Sequence, residues 1–395
     1  MTIEGLAALR TPEGTTALAT AAELADLDPL AAASALRARG HEPALAAAAL
    51  TQARLRRRAV SKFGPAAARM FFTRTGLEQA TRAVVADRRA ARLAAAGVRT
   101  VADLGCGLGA DALAAARAGM RVYAVEADPV TAALAEANAQ ALGLSDRVTV
   151  SIADATTVDV SGADAVFCDP ARRRVGTGRR VFDPNDYSPP WNFVLGLAAR
   201  VPRTVVKVAP GIDHELIPPG AEAEWVSVDG EVVEAALWCG PLARTPRRAT
   251  LLSSRGRARE LVGPPDVSAP AGNVRRFLYD PDGAVVRAHL VAAFATTVDG
   301  VVADPTIAYV YADAHRSTPF ARRFRVHDVL GFSLKRLRAL LRERGIGRVE
   351  ILKRGSAIDP EHLRRELRLS GAGAATLVLT RVAGAPTTLI CDPVD

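Results

Sequence analysis

The spacing of apolar and polar positions changes near residue 98. Before it, alanine- and leucine-rich stretches recur at helical intervals between start and stop signals. Asp28-Pro29 reads as an N-cap with proline at the first helical position, and Gly40 reads as a stop. A second helix is expected to start near Pro43 and to close on Arg54, Arg56, Arg57 and Arg58, a run that reads either as a solvated face or as an RNA-facing strip. Residues 1–95 are therefore expected to form a helical domain. From about residue 98, short β-branched runs alternate with helical segments, the signature of a parallel α/β sheet. The pattern predicts strands at 100–104, 121–126, 147–152, 163–168, 204–208, 224–228 and 233–238, and helices at 111–118, 129–142 and 190–200. No helix separates the last two strands, so this sheet, within a domain at 96–240, is expected to end in an antiparallel hairpin.

Residues 241–272 are rich in Pro, Gly, Ser and Arg and read as an irregular connector. Residues 273–395 read as a separate α+β unit. Ser333 caps a helix with Leu334, Leu337 and Leu341 on one face and Lys335, Arg338 and Arg342 on another. A strand follows at 348–352, Asp359-Pro360 opens another helix, and 375–381 with 387–391 read as a closing pair of strands.

Composition narrows the function classes. The chain has 395 residues, 49% apolar and 24% charged, which excludes wholesale disorder and allows two or three domains. Its 51 Lys and Arg against 42 Asp and Glu give a net charge of +9, which favours an anionic partner such as nucleic acid. An Ala- and Arg-rich composition of the kind GC-rich coding produces weakens that inference. The four cysteines show no CxxC pair and the six histidines no HxxxH or HExxH pattern, so a reducing compartment and no metal are expected. Neither a basic start with an apolar core nor a run of about 20 strongly apolar residues is present. A cytoplasmic protein without a membrane partner is expected.

The most informative stretch is Asp103-Leu104-Gly105-Cys106-Gly107-Leu108-Gly109. A buried strand runs into a glycine-rich turn that opens a helix, so backbone can pass close to a ligand and free N–H groups face it. Gly105, Gly107 and Ala110 also satisfy the GxGxxA form of dinucleotide sites. Two acids distinguish the readings. Asp103 at the strand end would repel a pyrophosphate and attract a cationic amino-acid head. Glu126, closing the next strand, is placed to accept hydrogen bonds from ribose hydroxyls. A ligand with a ribose and an ammonium but no phosphate is S-adenosylmethionine. Asp154-Ala155 follows the third strand, where a carboxylate can meet an adenine amino group, and Asp128 lies just beyond Glu126.

Strand four stops at Asp169-Pro170-Ala171-Arg172-Arg173-Arg174. A carboxylate there can accept a hydrogen bond from an amine nucleophile and offset its growing positive charge, and the Pro170 carbonyl can add a second acceptor. Arg172 and Arg173 read as substrate-binding, by phosphate clamping or by stacking on a base. Strand five carries Lys207 and leads to Asp213. Lys207 should emerge beside Asp169, either in a structural pair with Asp169 or Asp213 or as a catalytic lysine. No cysteine follows strand five, which disfavours covalent catalysis through a thiolate.

Across residues 98–240 these motifs resemble class I S-adenosylmethionine-dependent methyltransferases, a Rossmann-like α/β fold whose sheet order is 3-2-1-4-5-7-6. Enzymes of that kind acting on exocyclic amines usually carry a second proline and an aromatic after Asp169-Pro170, where this chain has Ala171 and Arg172. Glu78-Gln79, Asp169 to Arg173, Lys207 to Asp213, Arg348 to Gly355 and Asp359-Pro360 together resemble a bacterial methyltransferase family with a C-terminal THUMP-like domain. The resemblance implies that Glu78 and Gln79 close over cofactor or substrate and that the tail engages RNA. Arg322, Arg323, Arg325, Lys335, Arg338, Arg342, Lys353 and Arg354 would then supply a phosphate-binding surface. The expected function is methylation of a nucleotide of structured RNA, tRNA or rRNA, with Asp103, Gly105, Gly107, Gly109, Glu126, Asp128, Asp154 and Ala155 at the cofactor. The alternatives are an RNA-recognition protein that binds the donor without turnover, a protein or small-molecule methyltransferase, and an NAD-dependent oxidoreductase.

Overall fold

The computed structural model describes residues 1–170 and 187–394. Its first helices are α1 (Ile3–Leu9), α2 (Pro12–Glu23), α3 (Pro29–Ala38), α4 (Pro43–Phe63), α5 (Arg74–Gln79) and α6 (Ala83–Ala95). Asp28 caps α3 by accepting from the Leu30 and Ala31 N–H groups, with Pro29 at the first position as the sequence predicts. The arginine run does not end α4, which continues to Phe63, and Arg56 turns inward to donate to the Met70 carbonyl.

There follow β1 (Thr100–Leu104), α7 (Ala110–Arg117), β2 (Arg121–Glu126), α8 (Pro129–Ala141), β3 (Val148–Ile152), β4 (Ala165–Cys168), α9 (Trp191–Arg200), β5 (Thr204–Val208), β6 (Glu222–Val228) and β7 (Glu231–Trp238). The alternation of β-branched runs with glycine-stopped helices thus predicts these elements to within two residues at each end. Two further strands, β8 (Arg247–Leu252) and β9 (Ala258–Gly263), were not anticipated. Among the described residues one sheet runs β3-β2-β1-β4-β5-β7-β6-β8-β9. The expected order 3-2-1-4-5-7-6 is therefore present, with two corrections. The antiparallel β6–β7 hairpin is not the edge, because β8 pairs parallel to β6 and β9 antiparallel to β8. Residues 241–272 are consequently not a plain connector. Their strands are hard to read because charged side chains occupy positions that point into a buried ionic cluster. Arg248 bonds Glu222, while Arg92 from α6 reaches Glu222 and Glu224 and stacks on Trp238. A buried charge persists only with such partners.

The last elements are β10 (Phe277–Pro281), α10 (Gly283–Arg287), α11 (Val291–Val298), β11 (Val310–Ala312), β12 (Ala321–Gly331), α12 (Leu334–Glu343), β13 (Ile346–Lys353), α13 (Pro360–Leu367), β14 (Gly373–Val382) and β15 (Ala385–Pro393). A second sheet orders them β11-β10-β12-β15-β14-β13. Ser333 and Asp359 cap α12 and α13 as expected. The α+β unit is less separate than the sequence implies. Phe294 and Val298 of α11, with Val285 of α10, share a core with Trp225 and Ala249 of the large sheet, so the two sheets meet across these helices.

Candidate active site

The strand register sets the geometry. Cys168 of β4 pairs with Val206 of β5, so the residues one step further on, Asp169 and Lys207, come side by side at the carboxyl edge of the sheet. Lys207 Nζ donates to Asp169 at 2.6 Å and to the Thr81 hydroxyl at 3.1 Å. Of the two structural partners open to Lys207 in the sequence, Asp169 is the one present. Asp213 instead caps a short turn by accepting from the Glu215 N–H, and it is exposed. Burial alone would pull the Lys207 amine down, but Asp169, Glu234 and Asp111 outweigh it and hold the amine above its ordinary value. Lys207 is thus a cation at neutral pH and a donor, not a base.

Beneath this pair lies a buried charge cluster that the sequence did not reveal. Arg89 of α6 bonds both Asp111, in the first turn of α7, and Glu234 of β7, and its guanidinium lies 4.4 Å from the centre of the Phe167 ring. Asp103 is 1% exposed and neither of its carboxyl oxygens has a hydrogen-bond partner among the described residues. It lines a small cavity with Arg89, Asp111 and Phe167, under the glycine loop on the α6–α7 side of β1. Burial first, then Asp111 and Asp169, pushes its carboxyl well above the usual range.

The glycine loop bends as its sequence requires. Gly105, Gly107 and Gly109 all have positive φ; a Cβ on Gly105 would meet the Asp169 carbonyl at 3.0 Å, while one on Gly107 would enter open space. Glu126 at the end of β2 accepts from the Gly107 N–H at 3.0 Å and from the Asp128 N–H at 3.0 Å, so it shapes the loop and keeps spare acceptor capacity. Asp128 caps α8 through Thr131. Asp154 accepts from the backbone and hydroxyl of Thr156, which holds it below the usual carboxylate range, with Ala155 beside it.

Four acidic side chains, Asp103, Asp111, Asp169 and Glu234, the first and last with carboxyls raised by burial, therefore surround two cations, Arg89 and Lys207, around a glycine cradle with room above Gly107. That donor set fits a cationic sulfonium ligand and opposes a pyrophosphate. Cys106 and Cys168, the thiols nearest the cluster, are buried and pushed up by that burial, so neither is a ready nucleophile.

Glu78 and Gln79 end α5, which lies over the loop. A Cβ on Gly76 would fall 2.9 Å from Leu108 of the glycine loop. Asn138 of α8 fixes this approach by bonding the Phe71 backbone in both directions and donating to the Leu108 carbonyl. Lys62 donates to the carbonyls of Leu77, Glu78 and Ala80, closing the carboxyl end of α5 and bringing Thr81 to Lys207. Sequence reasoning missed Thr81, Lys62 and Arg89: Lys62 and Arg89 look like ordinary helix residues, and Thr81 like any residue of the link between α5 and α6.

Arg172 and Arg173 lie outside the described residues. Several tail arginines already have partners: Arg322 binds Glu350 and Arg354 binds Asp280. No helix among the described residues is long and apolar enough to cross a membrane.

Comparison with known proteins agrees with this geometry. A methyltransferase domain model matches residues 101–174, a THUMP domain-like model matches 321–393, and a domain of unknown function matches 2–59. The chain is 38% identical over 358 residues to an uncharacterized S-adenosylmethionine-dependent methyltransferase of Mycobacterium tuberculosis, recorded from strains CDC 1551 and H37Rv; the match covers 86% of this chain and 95% of the relative. Among solved structures, a "putative methyltransferase" from Porphyromonas gingivalis W83 superposes with a TM-score of 0.76 at 22% identity, over 96% of this chain and 99% of that one. That likeness extends the shared fold to both sheets.

Proposed function

The chain belongs to the S-adenosylmethionine-dependent methyltransferases, and from that premise we propose that it methylates a nucleotide of structured RNA, tRNA or rRNA, by direct in-line transfer. The observation that carries the substrate assignment is the THUMP-like domain, joined to the catalytic sheet through the shared α10–α11 core, in a chain of net charge +9.

S-adenosylmethionine, when bound, supplies a methyl group on a positively charged sulfur. The chain's own residues do the rest. The glycine loop and Glu126 hold the donor, with the buried Asp103 carboxyl beneath the loop, whose charged form a bound cation would favour, and Asp154 and Ala155 bordering the adenine end. Asp169 accepts a hydrogen bond from the acceptor atom and balances its developing charge, and the Pro170 carbonyl adds a second acceptor. Lys207, fixed as an ammonium between Asp169 and Thr81, keeps the carboxylate oriented. Glu78 and Gln79 shield the site, and Arg172, Arg173 and Asp213 contact the substrate. Alignment supplies most of the rate.

The test is mass spectrometry of tRNA and rRNA nucleosides from a deletion strain. Loss of one methylated nucleoside, restored by the wild-type gene and not by Asp169→Ala, is expected. An unchanged modification profile would reject the RNA assignment in favour of a protein or small-molecule acceptor.

A further inference from the structure

Away from the catalytic edge, the second sheet carries a cleft of about 630 Å³. It opens where ligands gather in parallel sheets, at the carboxyl ends of adjacent parallel strands. Arg354, Gly355 and Ser356 follow β13, and Arg381 lies at the end of β14, with Ile307 and Val286 on the facing walls.

The charged side chains lining this cleft are two arginines, Arg354 and Arg381. Arg354 is anchored by Asp280 through Nε and Nη2 and by the Pro281 carbonyl through Nη2, and it packs against Tyr309, with which it also shares a side-chain hydrogen bond. Arg381 is exposed and makes no ion pair among the described residues. The backbone N–H groups of Gly355, Ser356 and Ala357 donate no hydrogen bond among the described residues either. Two acids stand close by: Asp280 holds Arg354, and buried Asp304, which feels the charge of Arg381, accepts from the Thr306 N–H and hydroxyl and from the Gly384 N–H. The exposed Arg381 guanidinium, the anchored cation of Arg354 beside it and a row of amides without partners among the described residues match the oxygens of a phosphate monoanion.

The cleft is also linked to the catalytic edge. Val286 of α10 forms part of its wall, and the next residue, Arg287, donates at 3.3 Å to the carbonyl of Pro210 in the loop after Lys207. One short helix thus separates the two sites. We propose that this cleft seats a phosphate of the same RNA whose target nucleotide enters at Asp169, an inference that rests on the RNA assignment above.

The experiment uses the full chain in two arms. In the first, inorganic phosphate is titrated while the amide resonances of Gly355 and Ser356 are followed. Saturable shifts are expected in the wild type and in the control Arg365→Glu, which alters an exposed arginine on α13, and they should vanish in Arg381→Glu. In the second arm, methyl transfer to deletion-strain RNA is measured across salt concentrations. Arg381→Glu should raise the RNA KM about tenfold and flatten its salt slope by about one unit, with donor affinity unchanged, whereas Arg365→Glu should do neither. Amides that ignore phosphate, or equal KM changes in the two variants, overturn the proposal. If wild-type protein methylates no RNA while the amides still respond, RNA is rejected as the occupant, and the anion site is shown to be independent of it.

Discussion

Lys207 Nζ and a carboxylate oxygen of Asp169 lie 2.6 Å apart, although 38 residues separate them along the chain. Neighbouring parallel strands end at the same level, so residues one step beyond a paired position must meet. The contact is half sheltered, with the lysine side chain 12% exposed and the aspartate 32%. It is a partly desolvated pair whose aspartate stays partly open to solvent.

Asp169→Asn keeps the shape of the side chain and removes its charge. Turnover should fall about 100-fold or more, the scale seen when one preorganised polar group is lost at a reacting centre. Calorimetry should find donor affinity within a few-fold of wild type; a large loss would place Asp169 at the cofactor instead.

Thr81 holds the other side of the Lys207 ammonium at 3.1 Å. Thr81→Val should lower turnover by about tenfold, one hydrogen bond to a charged group, and Thr81→Ser should restore it. The pH profile of kcat separates this from a general packing defect. Full turnover in Thr81→Val with a loss in Thr81→Ser would mean that only the methyl group matters.

Gly76 is where α5 touches the glycine loop. In Gly76→Ala the new Cβ would stand 2.8 Å from the Thr73 hydroxyl and 2.9 Å from Leu108, so α5 has to lift. A loss of about 1–3 kcal/mol in urea unfolding is expected, with weaker binding of S-adenosylhomocysteine. Unchanged binding would show that α5 does not shape the donor site.

Lys62 provides a pH signature. Burial first, then repulsion from Lys207 and Arg82, pulls its amine down to about 8 from an ordinary 10.5. Between those values the unfolded chain holds the extra proton, so the Lys62 contribution to stability rises with pH from about 8 to 10.5. Urea unfolding of wild type and Lys62→Gln over that window should differ in slope, with the wild type rising more steeply. Parallel curves would contradict the assignment.

How much was readable beforehand differs from element to element. Gly119, Gly143 and Asp359-Pro360 mark helix ends through local backbone chemistry, and the structure puts those ends where the marks fall. Strand β12 was missed because Arg322, Arg323, Arg325 and Asp328 interrupt its apolar face. In the candidate site, Asp169 and Lys207 were identified as neighbours from strand order. Arg89, fully buried on Phe167, looks in the sequence like any arginine on an amphipathic helix.

The sequence by itself determined the alternation of strands and helices, the glycine loop after β1, and the acids that follow strand ends, because each depends on residues within a few positions of one another. Only the tertiary structure decided that Thr81 reaches Lys207, that Arg89 joins Asp111 to Glu234, and that β8 and β9 extend the sheet. Those outcomes depend on which charges are buried together. A desolvated ion selects its partner by distance in the folded chain, and separation along the sequence has no bearing on it.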